Sequence, residues 1–154
     1  MRIRLATHAD AQVLVEFNAA MALETERKEL LPEVISAGVR SLLSNPAAGL
    51  YLVAEEERVI GSLMITKEWS DWRNGTFWWV QSVYVRPEFR RQGVYRSLYR
   101  HVHEMAAKDP AVCGFRLYVE RENSHAQATY RSLGMKETHY KVFEDLKPGV
   151  KFYR

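Results

Sequence analysis

The residues whose types and spacing favour ligand chemistry lie between Gln81 and Arg96. An apolar, strand-like run ends at Pro87, passes a basic turn and becomes a helical pattern at about Val94. The first N–H groups of a helix lack intrahelical acceptors and sit at the positive end of its dipole, so they attract anions. Gly93 lets the backbone turn freely, and the nearby arginines are Arg90, Arg91 and Arg96. The segment predicts a pyrophosphate site, the alternative being a solvated turn.

A second polar pattern lies downstream, where Asn123-Ser124-His125-Ala126 precedes Tyr130-Arg131-Ser132-Leu133-Gly134-Met135. Together the two segments resemble the GNAT superfamily of acetyl-CoA-dependent N-acetyltransferases. Its signature is Gln/Arg-x-x-Gly-x-Gly/Ala, followed later by Asn-x-x-Ala-x-x-x-Tyr-x-x-x-Gly-Phe. Tyr95 stands where the family usually has Gly or Ala, and Met135 stands where it usually has Phe. The resemblance covers most of the chain, and the order and spacing of the segments both match.

The resemblance implies acetyl transfer from acetyl-CoA to a primary amine by direct attack in a ternary complex, with no metal. It also implies a β-bulge near Gln81 to Val83, an oxyanion held by the N–H of Val83, and a pantetheine amide held by Asn123. Tyr130 would protonate the departing thiolate, the alternative being a tyrosine that packs one helix face. The expected contacts with acetyl-CoA are Val83, Tyr84, Val85, Arg90, Arg91, Gln92, Gly93, Val94, Tyr95, Arg96, Asn123 and Tyr130.

The acceptor amine is expected against the connection between the first two helices, which resembles the acceptor wall of the family. Carboxylates there and aromatic faces nearby attract an ammonium group, so a cationic amine is predicted. The expected contacts are Glu24, Glu26, Trp79 and Gln81, with Glu29, Trp69 and Trp72 close by. The alternatives are solvated glutamates and core tryptophans. Some relatives have a glutamate in the fifth strand where this chain has Tyr118, so the base candidates are Glu24, Glu26 and His139.

Composition narrows the class of protein. The chain has 154 residues, 47% of them hydrophobic and 27% charged, which predicts one folded soluble domain over residues 1–154. The net charge of +3 is concentrated near the basic turn, so nucleic-acid binding is not expected. No apolar run reaches membrane-spanning length and the first five residues lack the apolar core of a signal peptide, so the expected location is cytoplasmic without membrane association. A homodimer is possible, and Cys113 is expected to be a buried thiol.

The hydrophobic patterning predicts an α+β fold. Strands are expected over 2–6, 51–54, 59–65, 76–85, 112–120 and 138–144, with a loop over 69–75. Helices are expected up to residue 24 and over 32–44, 94–108 and 123–133. The resemblance implies a GNAT-like three-layer α/β/α sandwich whose mixed, largely antiparallel sheet has splayed central strands and helices on both faces.

Two other functions compete with the enzyme. A non-catalytic acyl-CoA-binding or regulatory domain would keep the fold and bind acetyl-CoA without turnover. A nucleic-acid-binding protein would show a steep dependence of DNA affinity on salt, which is not expected here.

Overall fold

The computed structural model describes all 154 residues. Its five strands form one sheet in the order β1-β2-β3-β4-β5, antiparallel except for the parallel β4–β5 pair. The elements are β1 Arg2–Leu5, α1 Ala11–Glu26, α2 Pro32–Leu43, β2 Gly49–Glu55, β3 Val59–Ser70, β4 Gly75–Val85, α3 Val94–Ala107, β5 Val112–Arg116 and α4 Ser124–Ser132. The predicted α+β class with a mixed, largely antiparallel sheet is confirmed.

One face of the sheet is covered by α1 and α2. Residues paired directly across neighbouring strands share a face, so the register places Val53, Ser62 and Tyr84 together. Phe17 of α1 packs against Tyr84 with ring centroids 4.8 Å apart. Val39 of α2 is buried in the same apolar cluster as Val53. We call this the α1 face of the sheet.

The opposite face is covered by α3, the crossover helix that parallel neighbouring strands require. Gly61 pairs with Ala54 and Val85, so these residues point away from the α1 face. A Cβ on Gly61 would lie 3.1 Å from Cγ1 of Val94, which brings α3 close to the sheet here. Leu98 is fully buried one turn further along the helix. Helices therefore lie on both faces, as predicted.

The chain divides into two compact units. The first comprises Met1–Arg116 with Phe152–Arg154 and contains the whole sheet; the second is Leu117–Lys151 and contains α4. The last residues return to the first unit, where Tyr153 forms a bridge with Leu30. The expectation of a single domain stays a prediction. No helix in the chain is both long and apolar enough to span a bilayer.

Several predicted boundaries were wrong. β3 runs to Ser70, so Trp69 lies in a strand rather than a loop, although its side chain is 60% exposed. The cause is hairpin pairing, since Trp69 is opposite Thr76 of β4 and the turn occupies only the residues between the strands. Trp72 does lie in that turn and is 89% exposed.

The other errors concern β5 and the residues after it. β5 ends at Arg116 instead of residue 120, and its Cys113 is exposed rather than buried because no strand lies beyond this edge of the sheet. Residues 138–144 form no strand. Tyr140 and Val142 do alternate as in a strand, but alternation alone does not supply the neighbouring strand that a ladder requires.

Candidate active site

The last third of β4 contains the predicted bulge. Ser62 pairs with Tyr84, whereas Met64, two residues along β3, pairs with Gln81, three residues back along β4. β4 therefore carries one extra residue, and Ser82 takes a left-handed φ of 49°. A bulge disrupts the ladder and bends the strand. It also places Gln81 on the α1 face together with Tyr84.

Pairing between β4 and β5 stops just before this bulge. The parallel ladder runs from Thr76 opposite Val112 to Trp79 opposite Arg116, where it ends. The segment from Val80 to Val85 has β3 on one side and no ladder partner on the other. Backbone N–H and C=O groups left out of a ladder can pair with an extended ligand as if it were an added strand.

The turn after β4 has the backbone geometry of an anion site. A short 3₁₀ turn at Pro87–Phe89 leads to Arg91 and Gly93, which have left-handed φ values of 64° and 81°. A left-handed residue that follows a right-handed one can direct successive N–H groups into one concavity, a recurrent anion-binding arrangement. Gly93 is exposed, with no atom within 4 Å of the position of a Cβ. The turn is therefore open to a bulky anion.

The first turn of α3 completes this concavity. The N–H of Ser97 donates to the Gly93 carbonyl at 3.0 Å, so the N–H groups before it lie at the helix end, where intrahelical acceptors are lacking. Val94 is buried and anchors the helix, whereas Arg91 and Arg96 are exposed. Tyr95, the unusual residue in the motif, stacks on Tyr99 one turn later with ring centroids 6.0 Å apart. Its ring thus packs along the helix.

Arg90 links this turn to the end of α1. Its Nε donates to the Val85 carbonyl at 2.9 Å and its Nη2 donates to Oε2 of Glu24 at 2.8 Å. The other oxygen of Glu24 accepts the Tyr84 hydroxyl at 3.3 Å. Burial raises the pKa of Tyr84, and the negative charge of Glu24 raises it further. The phenol therefore stays protonated and donates to the carboxylate.

The other two glutamates of the predicted acceptor wall make different contacts. Glu26 is exposed and pairs with Lys28 at 3.2 Å. Glu29 pairs with Arg154 at 3.3 Å, across the bridge that fixes the chain end. Exposed pairs of this kind hold their partners weakly. Of the three carboxylates, Glu24 contacts β4 and the basic turn.

Trp79 and Gln81, predicted as acceptor contacts, have polar partners on β3. The indole Nε1 of Trp79 donates to Glu68 at 2.8 Å, and Nε2 of Gln81 donates to the Thr66 hydroxyl at 2.6 Å. Arg116 contacts both oxygens of Glu68, at 2.9 and 3.1 Å. The Trp79 hydrogen bond, followed by Arg116, lowers the pKa of Glu68. Glu68 is therefore ionised and holds the side chains of Trp79 and Arg116 in place.

Sequence reasoning missed Glu68 and Arg116 as part of this surface. Ending β3 at residue 65 left Glu68 outside the sheet, although Thr66 and Glu68 continue the strand alternation. Arg116 fell inside a predicted strand, but its neighbour across the sheet depends on the β4–β5 register. The alternation of residues beyond Ile65 was therefore the signal that could have predicted a longer β3 and placed Glu68 in the sheet.

The second unit carries Asn123 and Tyr130. Oδ1 of Asn123 accepts the N–H of Ala126 at 3.1 Å and so caps α4, which leaves its amide nitrogen as the group that can donate to a ligand. Tyr130 is half-buried, and burial raises the pKa of its phenol. His139, the remaining base candidate, is exposed in the segment after α4.

Comparisons with known proteins agree with this geometry. The model of the acetyltransferase (GNAT) family matches residues 14–135. None of the curated proteins compared with the chain matches its sequence. A solved structure, a possible acetyltransferase from Clostridium difficile 630, is 44% identical with a TM-score of 0.88, over 95% of this chain and 97% of that one.

Two more distant structures share the fold. A ribosomal-protein-alanine N-acetyltransferase from Brucella melitensis is 15% identical with a TM-score of 0.75, over 96% of this chain and 100% of that one. An aminoglycoside antibiotic 6'-N-acetyltransferase from Acinetobacter haemolyticus is 23% identical with a TM-score of 0.74, over 96% and 99% of the two chains. From the family match and the 44% identical relative, the chain belongs to the GNAT family of acetyltransferases.

Proposed function

We propose that this protein is an N-acetyltransferase that moves the acetyl group of acetyl-CoA to a primary amine. The observation that carries the proposal is the interrupted end of β4. There a bulge at Ser82, an edge without a ladder partner and an open, arginine-rich helix start follow one another within a single stretch of chain. This order suits an extended ligand arm that ends in a pyrophosphate.

The donor substrate would lie along the free edge of Val83, Tyr84 and Val85. The pyrophosphate would occupy the concavity of the basic turn, where helix N–H groups and exposed arginines such as Arg91 and Arg96 favour negative charge. In the second unit, the amide nitrogen of Asn123 would donate to a pantetheine carbonyl. The ribosomal-protein-alanine and aminoglycoside N-acetyltransferases described above share this fold.

The chemistry follows from the groups on this edge. The amine nitrogen attacks the thioester carbonyl, a C–N bond forms, and the N–H of Val83 stabilises the oxyanion. The C–S bond then breaks, the thiolate takes a proton from Tyr130, and the nitrogen of the new amide releases its extra proton to solvent, from which the Tyr130 phenolate is reprotonated. Because burial raises the pKa of that phenol, Tyr130 holds its proton at neutral pH and can act as the acid.

An amine with a pKa of about 10.4 is mostly protonated at neutral pH and must lose a proton before attack. The acceptor is best matched by a cationic amine, with Glu24 as its carboxylate contact. Glu24 is held at β4 by Tyr84 and Arg90, and Trp79 and Gln81 lie on the same face of the sheet. Glu68 is a poor base because its pKa is lowered, so the candidates for the general base are still Glu24, Glu26 and His139.

The test is a direct assay of the purified chain. The protein is incubated with acetyl-CoA and a panel of primary amines. CoA thiol release is followed, and mass spectrometry detects the acetyl group added to each product. The proposal expects stoichiometric thiol release and acetylated amine with at least one cationic acceptor. Binding of acetyl-CoA with no turnover across the panel would favour the non-catalytic acyl-CoA-binding domain instead.

A further inference from the structure

The last three residues of the sequence return to the connection between α1 and α2. This connection comprises residues 27–31, and the returning residues, which we call the 152–154 segment, belong to the same compact unit as both helices. Leu30 and Tyr153 form an antiparallel bridge between the two stretches. Two distant parts of the sequence are therefore paired beside the end of α1.

Two backbone hydrogen bonds flank this bridge. The N–H of Leu31 donates to the Phe152 carbonyl at 2.8 Å, and the N–H of Arg154 donates to the Glu29 carbonyl at 2.9 Å. Both distances are typical of well-formed N–H···O bonds. The side chains of Arg154 and Glu29 also pair at 3.3 Å, but they are 60% and 66% exposed, so this ion pair adds little.

Ring contacts on Lys28 add to the backbone pairing. Its Nζ lies 4.9 Å from the ring centroid of Tyr153 and 5.5 Å from that of Phe152, within the distance at which an ammonium group is attracted to an aromatic ring. The same Nζ pairs with Oε1 of Glu26 at 3.2 Å. Lys28 thus links the last residue of α1 to the 152–154 segment.

The connection between the helices has no buried side chain of its own. Each of residues 27–31 is exposed or half-buried, so core packing does not fix them. The first of them, Arg27, has a left-handed φ of 54°, which is uncommon for a residue other than glycine and persists only where the surrounding structure holds it. The contacts with the 152–154 segment begin at the next residue and supply such a hold.

Glu24 lies just before this point, in the last turn of α1. Its ion pair with Arg90 joins side chains that are 41% and 42% exposed, and exposed pairs stabilise little. Its contact with the Tyr84 hydroxyl is long, at 3.3 Å. Because helix ends fray where little holds them, the position of Glu24 against β4 depends on what holds the residues that follow it.

We propose that the 152–154 segment holds the end of α1 in place and so sets the affinity for the acceptor amine. Its members are positioning residues, because they act through Glu24 and not on the reacting atoms. A carboxylate that moves away from an ammonium group attracts it less, so loosening the segment weakens binding of the amine. β4 is held by its pairing with β3, so acetyl-CoA binding does not depend on the segment. The inference rests on the proposed function, in which Glu24 contacts the amine.

A double variant, Phe152→Ala with Tyr153→Ala, removes both rings from Lys28. We expect the KM for the best amine to rise about fivefold, while kcat and the affinity for acetyl-CoA change by less than about twofold. Hydrogen exchange measures the hold itself and needs no turnover. The amides of residues 24–31 should exchange at least about fivefold faster in the double variant than in the parent.

Three single variants sharpen the test. Arg154→Pro removes the N–H that donates to the Glu29 carbonyl and should change the KM and the exchange rates in the same direction as the double variant. Lys28→Arg keeps a cation beside the rings and should retain the parent values. Phe143→Ala is the matched control, since it removes an aromatic ring that is 93% exposed and lies outside the segment, and it should change neither quantity.

Unchanged exchange of residues 24–31 in both the double variant and Arg154→Pro would overturn the proposal, because the segment would not hold α1. Faster exchange with a parent-like KM for the amine would overturn the link to acceptor affinity. Equal losses of kcat and acetyl-CoA affinity would also overturn it, since they indicate a general loss of structure. A parent chain that acetylates no amine would refute the proposed function and this inference with it, and that result is distinguished by coming from the parent.

Discussion

The two parts of β4 differ in how completely they are paired. From Gly75 to Val80 the strand runs straight beside β3, and as far as Trp79 it also pairs with β5. From Gln81 to Val85 it bulges and keeps only β3. The first part has its main-chain groups used by neighbouring strands and acts as support. The second part has no strand beside it on the β5 side, and this is where we propose that the donor substrate binds.

Side chains follow the same division. Four of the six residues from Gly75 to Val80 are buried and Thr76 and Trp79 are half-buried, whereas one of the five residues from Gln81 to Val85 is buried. Tyr84 is the buried exception, since its ring packs on Phe17 and its hydroxyl reaches Glu24. The interrupted part is therefore open along its backbone yet fixed by one deeply packed side chain. Substitutions at or around the interrupted part test this difference.

Gly93→Glu should have the largest effect and abolish acetyl-CoA binding. It places a Cβ at a left-handed φ of 81° and a negative charge in the anion concavity. Calorimetry with acetyl-CoA measures this directly, and Gly93→Ala separates backbone strain from charge by weakening binding less. Gly149→Glu is the matched control, since Gly149 also has a left-handed φ and open space around it. Unchanged affinity in Gly93→Glu would remove the pyrophosphate from this turn.

Tyr130→Phe should lower turnover on the order of 10²-fold while changing acetyl-CoA affinity little. The hydroxyl matters as charge builds on sulfur, and the ring that packs is kept. Because the pKa of Tyr130 is raised above about 10, parent turnover should not fall through loss of this proton until pH exceeds that value. A variant that turns over its amine at the parent rate would exclude Tyr130 as the acid.

Glu24→Gln should raise the KM for the amine about tenfold, because it removes the carboxylate charge while keeping a group that can contact Tyr84. Steady-state kinetics with the best amine measures the change. Glu26→Gln should have a smaller effect, and Glu29→Gln, whose partner is Arg154, is the control. If all three variants have the same kinetics as the parent protein, the acceptor site does not lie at the end of α1, and His139 is left as the base candidate.

Substitutions of Ser82 at the bulge should have the smallest effect, which is a change in the free energy of unfolding. A β-branched residue at its φ of 49° is strained, so Ser82→Val should lower the free energy of unfolding by about 1–2 kcal/mol. Ser82→Gly should be neutral or raise it by less than about 1 kcal/mol. Urea denaturation measures both. If Ser82→Val is as stable as the parent, the bulge does not constrain this position.

The sequence predicted what local pattern determines. The strand up to Val85, the turn and the helix from Val94 follow from composition and periodicity, and the bulge came from the resemblance to the family. The contact between Glu24 and Arg90 joins residues 66 positions apart, which no local pattern specifies. The same reason explains the length of β3, the exposure of Cys113 and the missing strand at 138–144. Each depends on which strand lies alongside.

Hydrogen exchange of backbone amides, with and without acetyl-CoA, tests most directly whether the interrupted part of β4 is the donor site. Amides from Phe77 to Trp79, already in ladders on both sides, should exchange slowly in both states. Amides of Val83 to Val85 and Arg91 to Arg96 should slow markedly once acetyl-CoA is bound. If acetyl-CoA leaves the exchange rates of these segments unchanged, or slows exchange elsewhere on the sheet instead, the account is contradicted.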